Sequence, residues 1–203
     1  QLLGGGIARP IFLIRVLELI MNGGVMPDNN KQMGPVVPKL GEYEHWDQFF
    51  DAFRETVCYF AKYVTAGIGM MDQLHVDIRP LPFASALMSN CIERGRSLME
   101  ELDYFQPSLG HSDFIPAVNN LAAIKKCVFD DQSVSQTDLR DALIANFEGY
   151  EEIRQLLFTA PKFGNDDDFV DSLIPLVEQI SVEAMKGCAP SRKSCNTDAQ
   201  WVF

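Results

Sequence analysis

A run of three carboxylates is the first feature of this sequence that could do chemistry. Asp166, Asp167 and Asp168 are adjacent, and carboxylate oxygens are the ligands that Ca²⁺ prefers. The run lacks the alternating D-x-[DN]-x-[DN]-G spacing of a calcium-binding loop. Carboxylates are also stabilised at the positive end of a helix dipole. We therefore predict a helix N-terminus here, with Asn165 as the capping residue.

The histidines His45, His75 and His111 are candidate general bases. His75 follows Asp72 by three residues in a predicted helix, and this carboxylate would favour the charged imidazole. Ion pairs of this kind on helix surfaces are common and weak. No two histidines have the H-x3-H spacing of a helical zinc site. A structural or solvated role is therefore favoured for all three.

The cysteines do not form a recognisable metal or disulfide pattern. There are five, an odd number, at positions 58, 91, 127, 188 and 195, and their spacings match no zinc motif. Cys58, Cys91 and Cys127 lie in apolar, helical-looking surroundings, where buried free thiols are expected in a reducing cytoplasm. The sequence also has no nucleophile elbow, P-loop or dinucleotide fingerprint. Such motifs therefore do not identify an enzyme.

Composition and charge exclude some classes of partner. The chain has 203 residues, enough for one domain or two small ones, and its net charge is -11. Such a surface repels phosphate backbones and anionic lipids, so we expect neither nucleic acid nor a membrane as partner. The chain has no signal-peptide pattern, which predicts a cytoplasmic location. Since it does not begin with Met, we expect a processed product or a fragment.

The elements that would position these residues are mostly helices. Apolar residues recur at helical spacing in several segments, the longest being 44–74. Three other predicted helices are 11–21, 116–129 and 150–159. Ser135 or Thr137 is the predicted cap of a further helix that runs to about residue 147, and the last predicted helix runs from its cap Asn165 to about residue 186. Segment 83–88 is either a short buried strand or the start of a helix, and a loop covers 25–43. The pattern is typical of a helical layer from a larger α/β fold, or of a small all-α domain.

Several strings of residues resemble one enzyme family in the right order. The strings are PLPF at 80–83, CIERG at 91–95, LAAIKK at 121–126, NFEGYEEIRQ at 146–155 and APKFGNDDD at 160–168. Together they resemble the pyruvate formate-lyase-like domain of glycyl-radical enzymes, over about residues 11–186. The pattern is most similar to the diol-dehydratase, choline-lyase and arylsuccinate-synthase branches. The tail 187–203 does not match.

The resemblance implies a fold and a reaction class. The fold would be a ten-stranded α/β barrel built of two half-barrels, of which this chain is a helix-rich, incomplete part forming one incomplete domain over 1–203. In the family, a radical-SAM activating enzyme installs a radical on a backbone glycine. The radical passes to a cysteine, whose thiyl form abstracts hydrogen from a small-molecule substrate. The reactions make or break C–C, C–O or C–N bonds in anaerobic metabolism, and the enzymes are commonly homodimers.

The sequence departs from this pattern where the chemistry would lie. The family's cysteine loop would precede the chain and its glycine loop would follow it, and none of the five cysteines lies in the required motif. We therefore assign no catalytic residue, cofactor or metal ligand to this chain. The stretch 97–115 also departs from the pattern. The alternative to an enzyme fragment is a catalytically inactive, diverged or truncated module with a structural or interaction role.

Two residues are candidates for the substrate pocket of the full enzyme. Phe83 ends the PLPF string and Ser85 follows it, and the string leads into an expected barrel strand. Side chains on one face of such a strand would point into the barrel. The alternative is that both are ordinary core residues.

Overall fold

The computed structural model describes residues 3–5, 9–78, 80–89, 91–98, 100, 104–106 and 109–186, with only the backbone described at 3–5, 9–10, 72, 104–106 and 109–110. Helices dominate this part of the chain. The α-helices are α1 (Leu13–Met21), α2 (Trp46–Ile78), α3 (Pro82–Ala86), α4 (Cys91–Arg94), α5 (Phe114–Ile124), α6 (Gln136–Ile144), α7 (Glu151–Thr159), α8 (Asp168–Asp171) and α9 (Leu173–Lys186). A π-helix, Lys125–Asp130, continues directly from α5.

The described strands are short and form three two-stranded pairs. The strands are β1 (Leu3–Gly5), β2 (Arg9–Phe12), β3 (Val25–Met26), β4 (Lys31–Gln32), β5 (Tyr104–Gln106) and β6 (Leu109–Ser112). β1 pairs with β5 in parallel, β2 pairs with β6, and β3 forms an antiparallel hairpin with β4. A parallel pair needs a long crossover, and here the crossover contains several helices. The pairing of β1 with β5 is therefore of the α/β type.

Internal contacts divide the chain into two compact units. The first comprises the described residues within Gln1–Ile11, Phe60–His111 and Val182–Phe203, and the second comprises Phe12–Tyr59 and Ser112–Ser181. The first unit contains the paired strands β1 and β5. The second contains most of the buried core. Two compact units can belong to one domain, so the single incomplete domain over 1–203 stays a prediction.

The long helix predicted at 44–74 is confirmed as α2, Trp46–Ile78. Its apolar residues recur every three or four positions, and one row of them is buried in the second unit, with Phe49 and Phe53 fully inaccessible to solvent. The two glycines at 67 and 69 leave the helix uninterrupted. The helix ends before Pro80 and Pro82, because a proline restricts the residue that precedes it.

Helix α1 is the most deeply buried element of the second unit. Leu13, Leu17 and Ile20 are at most 1 % exposed. The helix starts two residues later than predicted, since the chain up to Phe12 forms strand β2. It ends at Asn22, whose side-chain amide donates to the carbonyl of Glu18 at 2.8 Å.

The loop after α1 is fastened to two helices. The hydroxyl of Tyr43 donates to the carbonyl of Ile20 at 3.1 Å, and the amide of Leu40 donates to the carbonyl of Met21 at 3.0 Å. The side chain of Gln136, on α6, donates to the carbonyl of Tyr43 at 2.7 Å and accepts from the amide of Gly41 at 2.9 Å. The loop is therefore a fixed part of the core.

The helix predicted at 116–129 is confirmed, but its last turns are π-helical. Phe129, in the π-helix, packs edge-on against Trp46, with ring centroids 5.8 Å apart. Its centroid is also 5.8 Å from that of Phe49. Such aromatic pairs contribute about 0.5–1.5 kcal/mol beyond the area they bury. The π-helical turn thus places an aromatic ring against the start of α2.

The C-terminal helices follow the prediction with one correction. Ser135 caps α6, accepting from the amide of Asp138 at 3.0 Å, and α7 lies where it was predicted. The single helix predicted at 165–186 is wrong, because α8 ends at Asp171 and α9 begins at Leu173. Among the described residues, no helix is long and apolar enough to cross a membrane.

Gly24 is a position where only glycine fits. Its φ is +84°, and a Cβ there would lie 2.1 Å from the carbonyl oxygen of Pro35. We expect Gly24→Ala to lower the free energy of unfolding by at least about 3 kcal/mol, since backbone strain and a steric clash with the backbone add. Gly149→Ala is the matched control, because Gly149 has a φ of +79° with open space around it. That control should cost about 1–2 kcal/mol. If urea denaturation showed the same loss of unfolding free energy for both variants, the steric clash at position 24 would be contradicted.

Tyr43 should make stability depend on pH in the alkaline range. Burial raises the pKa of its phenol above the ordinary value, and the nearby charge of Glu42 adds to this. A raised folded-state pKa favours the neutral form, so its contribution is complete below about pH 10 and is lost as pH rises further. We expect Tyr43→Phe to cost about 1 kcal/mol at pH 7. The difference from the wild type, measured by urea denaturation, should shrink above pH 10. A difference that grew there would contradict this assignment.

Candidate functional site

The carboxylate run is a helix N-terminus, as predicted, but with a different cap. The carboxylate of Asp167 accepts from the amide of Phe169 at 3.0 Å and caps α8. The predicted cap, Asn165, instead donates its side-chain amide to the carbonyl of Lys162 at 3.3 Å. Asp166 takes a left-handed conformation, with φ +56°, which carries the chain from the turn into the helix. In the residues that the structure describes, no group of three or more potential ligands could hold a metal ion.

The histidines lie apart from one another along the chain. His45 precedes α2 and is exposed, His75 lies in the last turn of α2, and His111 lies in β6. The side chain of Asp72, the predicted partner of His75, lies outside the described residues.

Two of the described cysteines are buried, and all three have free thiols. Cys91 and Cys127 are buried, as the sequence predicted, whereas Cys58, also predicted to be buried, is half-buried. Burial raises the pKa of the Cys127 thiol, so it stays protonated at neutral pH. Its sulfur lies 3.9 Å from the carbonyl oxygen of Leu156. Cys188 and Cys195 lie outside the described residues.

At the pocket candidates the start of a helix, one of the two alternatives predicted for 83–88, is confirmed, and the expected barrel strand is not formed there. Residues 82–86 form helix α3, because Pro82 occupies its first turn, where its missing N–H costs nothing. The Ser85 hydroxyl donates to the carbonyl of Leu81 at 2.6 Å and accepts from the amide of Leu98 at 2.9 Å. Ser85 thus fastens the segment that follows α3. The ring of Phe83 is 79 % exposed. Their place in a substrate pocket stays a prediction.

The second unit contains a cavity of about 610 Å³ between four helices. Each helix contributes residues three or four positions apart, which lie on one face. Leu17 and Met21 come from α1, Leu139 and Leu143 from α6. Other lining residues come from α5, α7 and the adjoining turns, among them Ala123, Ile124, Phe147, Leu157 and Phe158. The wall is therefore mainly apolar.

A few polar groups face this cavity. The side chains of Glu18, Asn119, Asn120, Arg154 and Lys162 complete its lining. Glu18 is paired with Arg15, and the carboxamide oxygen of Asn119 accepts from the amide of Phe163 at 2.9 Å. The Lys162 ammonium donates to the carbonyls of Phe158 and Ala160. Arg154 is exposed, and its guanidinium bonds to none of the described residues.

A second, shallower depression of about 470 Å³ lies beside the aromatic cluster. Lys125 lies there, with its ammonium 5.8 Å from the centroid of the Trp46 ring and 2.6 Å from a carboxylate oxygen of Asp130. A lysine whose charge is satisfied by both a carboxylate and a ring face stabilises the fold locally. His45 and Gln136 also line this depression.

Residues 10–200 match the family described as pyruvate formate lyase-like. The chain belongs to this family of glycyl-radical enzymes. It is 30% identical to trans-4-hydroxy-L-proline dehydratase of Clostridioides difficile, over 79% of this chain and 20% of that enzyme. It is 28% identical to isethionate sulfite-lyase of Desulfovibrio desulfuricans, over 94% of this chain and 23% of that enzyme.

Solved glycyl-radical enzymes share the fold of this family member. The hydroxyproline dehydratase of Clostridioides difficile superposes with a TM-score of 0.80 at 26% identity, covering 93% of this chain and 24% of that structure. The B12-independent glycerol dehydratase of Clostridium butyricum gives 0.76 at 30% identity, covering 98% and 24%. The chain spans 20–24% of the length of these relatives. A helix-rich part of a pyruvate formate-lyase-type α/β barrel, predicted from the strings, is confirmed.

Reasoning from the sequence missed the cavity. Arg154 and Lys162 both lie inside strings that carried the family resemblance. A local signal was present, since Arg154, Leu157 and Phe158 have the spacing of one helical face. The sequence did not reveal that this face of α7 lines the same cavity as α1, because the two helices are far apart along the chain.

The capping role of Asp167 gives a test of the carboxylate run. We expect Asp167→Ala to lower the free energy of unfolding by about 1 kcal/mol, because the amide of Phe169 loses its acceptor. Asp166→Asn is the control, since asparagine tolerates the left-handed conformation. It should change stability by less than about 0.5 kcal/mol. Thermal unfolding with Ca²⁺ and with a chelator should coincide for both variants and the wild type. A calcium-dependent rise in Tm that is lost in either variant would make the run a cation site.

Proposed function

We propose that this chain is part of a glycyl-radical lyase that acts on a small metabolite in anaerobic metabolism in the cytoplasm. The observation that carries the proposal is the match of residues 10–200 to the family, together with the superposition on a hydroxyproline dehydratase. The reaction makes or breaks a C–C, C–O or C–N bond. Since the relatives include two dehydratases, elimination at a C–O bond of a hydroxylated metabolite is the favoured case.

The contribution of this portion to the enzyme is structural. The described cysteines are helical and either buried or half-buried, and none lies in the motif of the family's thiyl residue. The radical glycine and the thiyl cysteine would then belong to other parts of the polypeptide. The helices of this chain would hold part of the barrel that shields those two loops from solvent. The exposed ring of Phe83 and the neighbouring Ser85 remain our candidates for its substrate pocket.

The proposal includes a cofactor and partners. The cofactor is a backbone glycyl radical, which supplies the hydrogen-abstracting chemistry, and a radical-SAM activating enzyme installs it. The other partners are the small-molecule substrate and a second copy of the polypeptide in a homodimer. The net charge of -11 supports the expectation that nucleic acid and anionic membranes are not partners.

Electron paramagnetic resonance tests this function directly. The natural polypeptide that carries this sequence should be incubated without oxygen with a family activating enzyme, a reductant and S-adenosylmethionine. We expect an organic radical whose doublet collapses when the glycine α-hydrogen is replaced by deuterium, and which is destroyed by air. Omitting the activating enzyme is the control.

The opposite result would favour the alternative function. If the natural polypeptide has neither the cysteine loop nor the glycine loop, and no radical forms, it is a catalytically inactive module. Its role would then be structural, and co-purification with an intact family member would be the next measurement.

A further inference from the structure

The cavity of the second unit has the dimensions and the lining of a small-molecule site. Its volume of about 610 Å³ lies within the usual range of ligand pockets, about 300–1,000 Å³. Helices α1, α5, α6 and α7 surround it, so it is concave. Apolar side chains such as Leu143 and Leu157 make most of the wall, with a few polar groups among them. An apolar ligand body with one polar group suits such a lining.

The polar groups of the cavity define the charge of that ligand. Arg154 and Lys162 supply two positive charges, while the one carboxylate of the lining, that of Glu18, is paired with Arg15, which also pairs with Asp28. This local excess of positive charge occurs in a chain whose net charge is -11. A cationic cavity on an anionic protein attracts an anion.

Among the charged groups of the lining, Arg154 is the one whose side chain has no partner among the described residues. The Lys162 ammonium already donates to two backbone carbonyls, and it lies 4.9 Å from the centroid of the Phe158 ring. Arg154 has five N–H donors and uses none of them on another described residue. A planar guanidinium binds a carboxylate through two parallel hydrogen bonds. The anion that fits is therefore a carboxylate.

We infer that this cavity binds an apolar carboxylate, such as a medium-chain aliphatic acid. The hydrocarbon chain lies between α1 and α6, against Leu143, and the carboxylate pairs with the guanidinium of Arg154. Burial of the chain supplies the affinity, at roughly 0.8 kcal/mol for each CH₂ group removed from water. The ion pair supplies the preference for an acid over a neutral ligand. The proposed radical chemistry assigns this cavity no role.

Binding of decanoate to the natural polypeptide tests the inference. We expect saturable binding by isothermal titration calorimetry, with decan-1-ol binding at least about tenfold more weakly because it lacks the charge. Arg154→Gln should weaken decanoate binding about tenfold and leave decan-1-ol unchanged. Arg140→Gln is the matched control, since Arg140 pairs with Asp141 and lies outside the cavity lining. It should leave both affinities unchanged.

A second variant tests the hydrocarbon end independently of Arg154. Leu143 is 39% exposed, so the variant Leu143→Glu should fold. Its carboxylate should abolish decanoate binding, because it repels the carboxylate of the ligand and makes the apolar lining polar. Circular dichroism confirms that each variant is folded. Absence of saturable binding to the wild type would overturn the inference. Equal affinity of the wild type and Arg154→Gln for decanoate would overturn it as well.

Discussion

The second unit depends on the burial of one short helix. Helix α1 has nine residues, and five of them are buried, so its neighbours must surround it. The loop that follows returns across its end, held by the Tyr43 hydroxyl and by the side chain of Gln136. Gly24 permits that return, because no other residue leaves room for the carbonyl of Pro35. The cavity exists because α5, α6 and α7 pack around this helix without filling all the space beside it.

Family membership explains why this portion has a core but no catalytic constellation. The radical chemistry expected for the family needs two loops that approach each other inside a barrel. The helices of this chain would form part of the layer around those loops. A layer of this kind is specified by packing, so its sequence keeps apolar periodicity and turn residues. Its acidic surface and its protonated, buried Cys127 thiol agree with a supporting role.

The sequence predicted the long helices well, because their apolar periodicity extends over many residues. Helix α2 lies within a few residues of its predicted bounds, and Ser135, one of the two predicted caps, caps α6. The long helix predicted up to residue 186 is interrupted at Ser172, and the other errors fall on short elements, where local signals compete. The segment that begins at Pro82 folds as a short helix. At the start of α8, the side chain of Asp167, and not that of Asn165, accepts the hydrogen bond from the helix amide. The cavity could not be predicted, since its lining comes from α1, α5, α6 and α7, which are brought together from distant parts of the sequence.

The π-helix at Lys125–Asp130 has a consequence for the evolution of this layer. A π-helical turn holds one residue more than the α-helical turn it replaces, and so has the geometry of a single inserted residue. Its signature here is the bond from the amide of Asp131 to the carbonyl of Lys126, five positions back, at 2.8 Å. Loss of one residue from this segment would convert the π-helical turn into a regular α-helical turn and move residues within that turn by about 100° around the helix axis. Phe129 would then lose its contact with Trp46. Selection that preserves this aromatic contact therefore acts on the length of the segment more than on its composition.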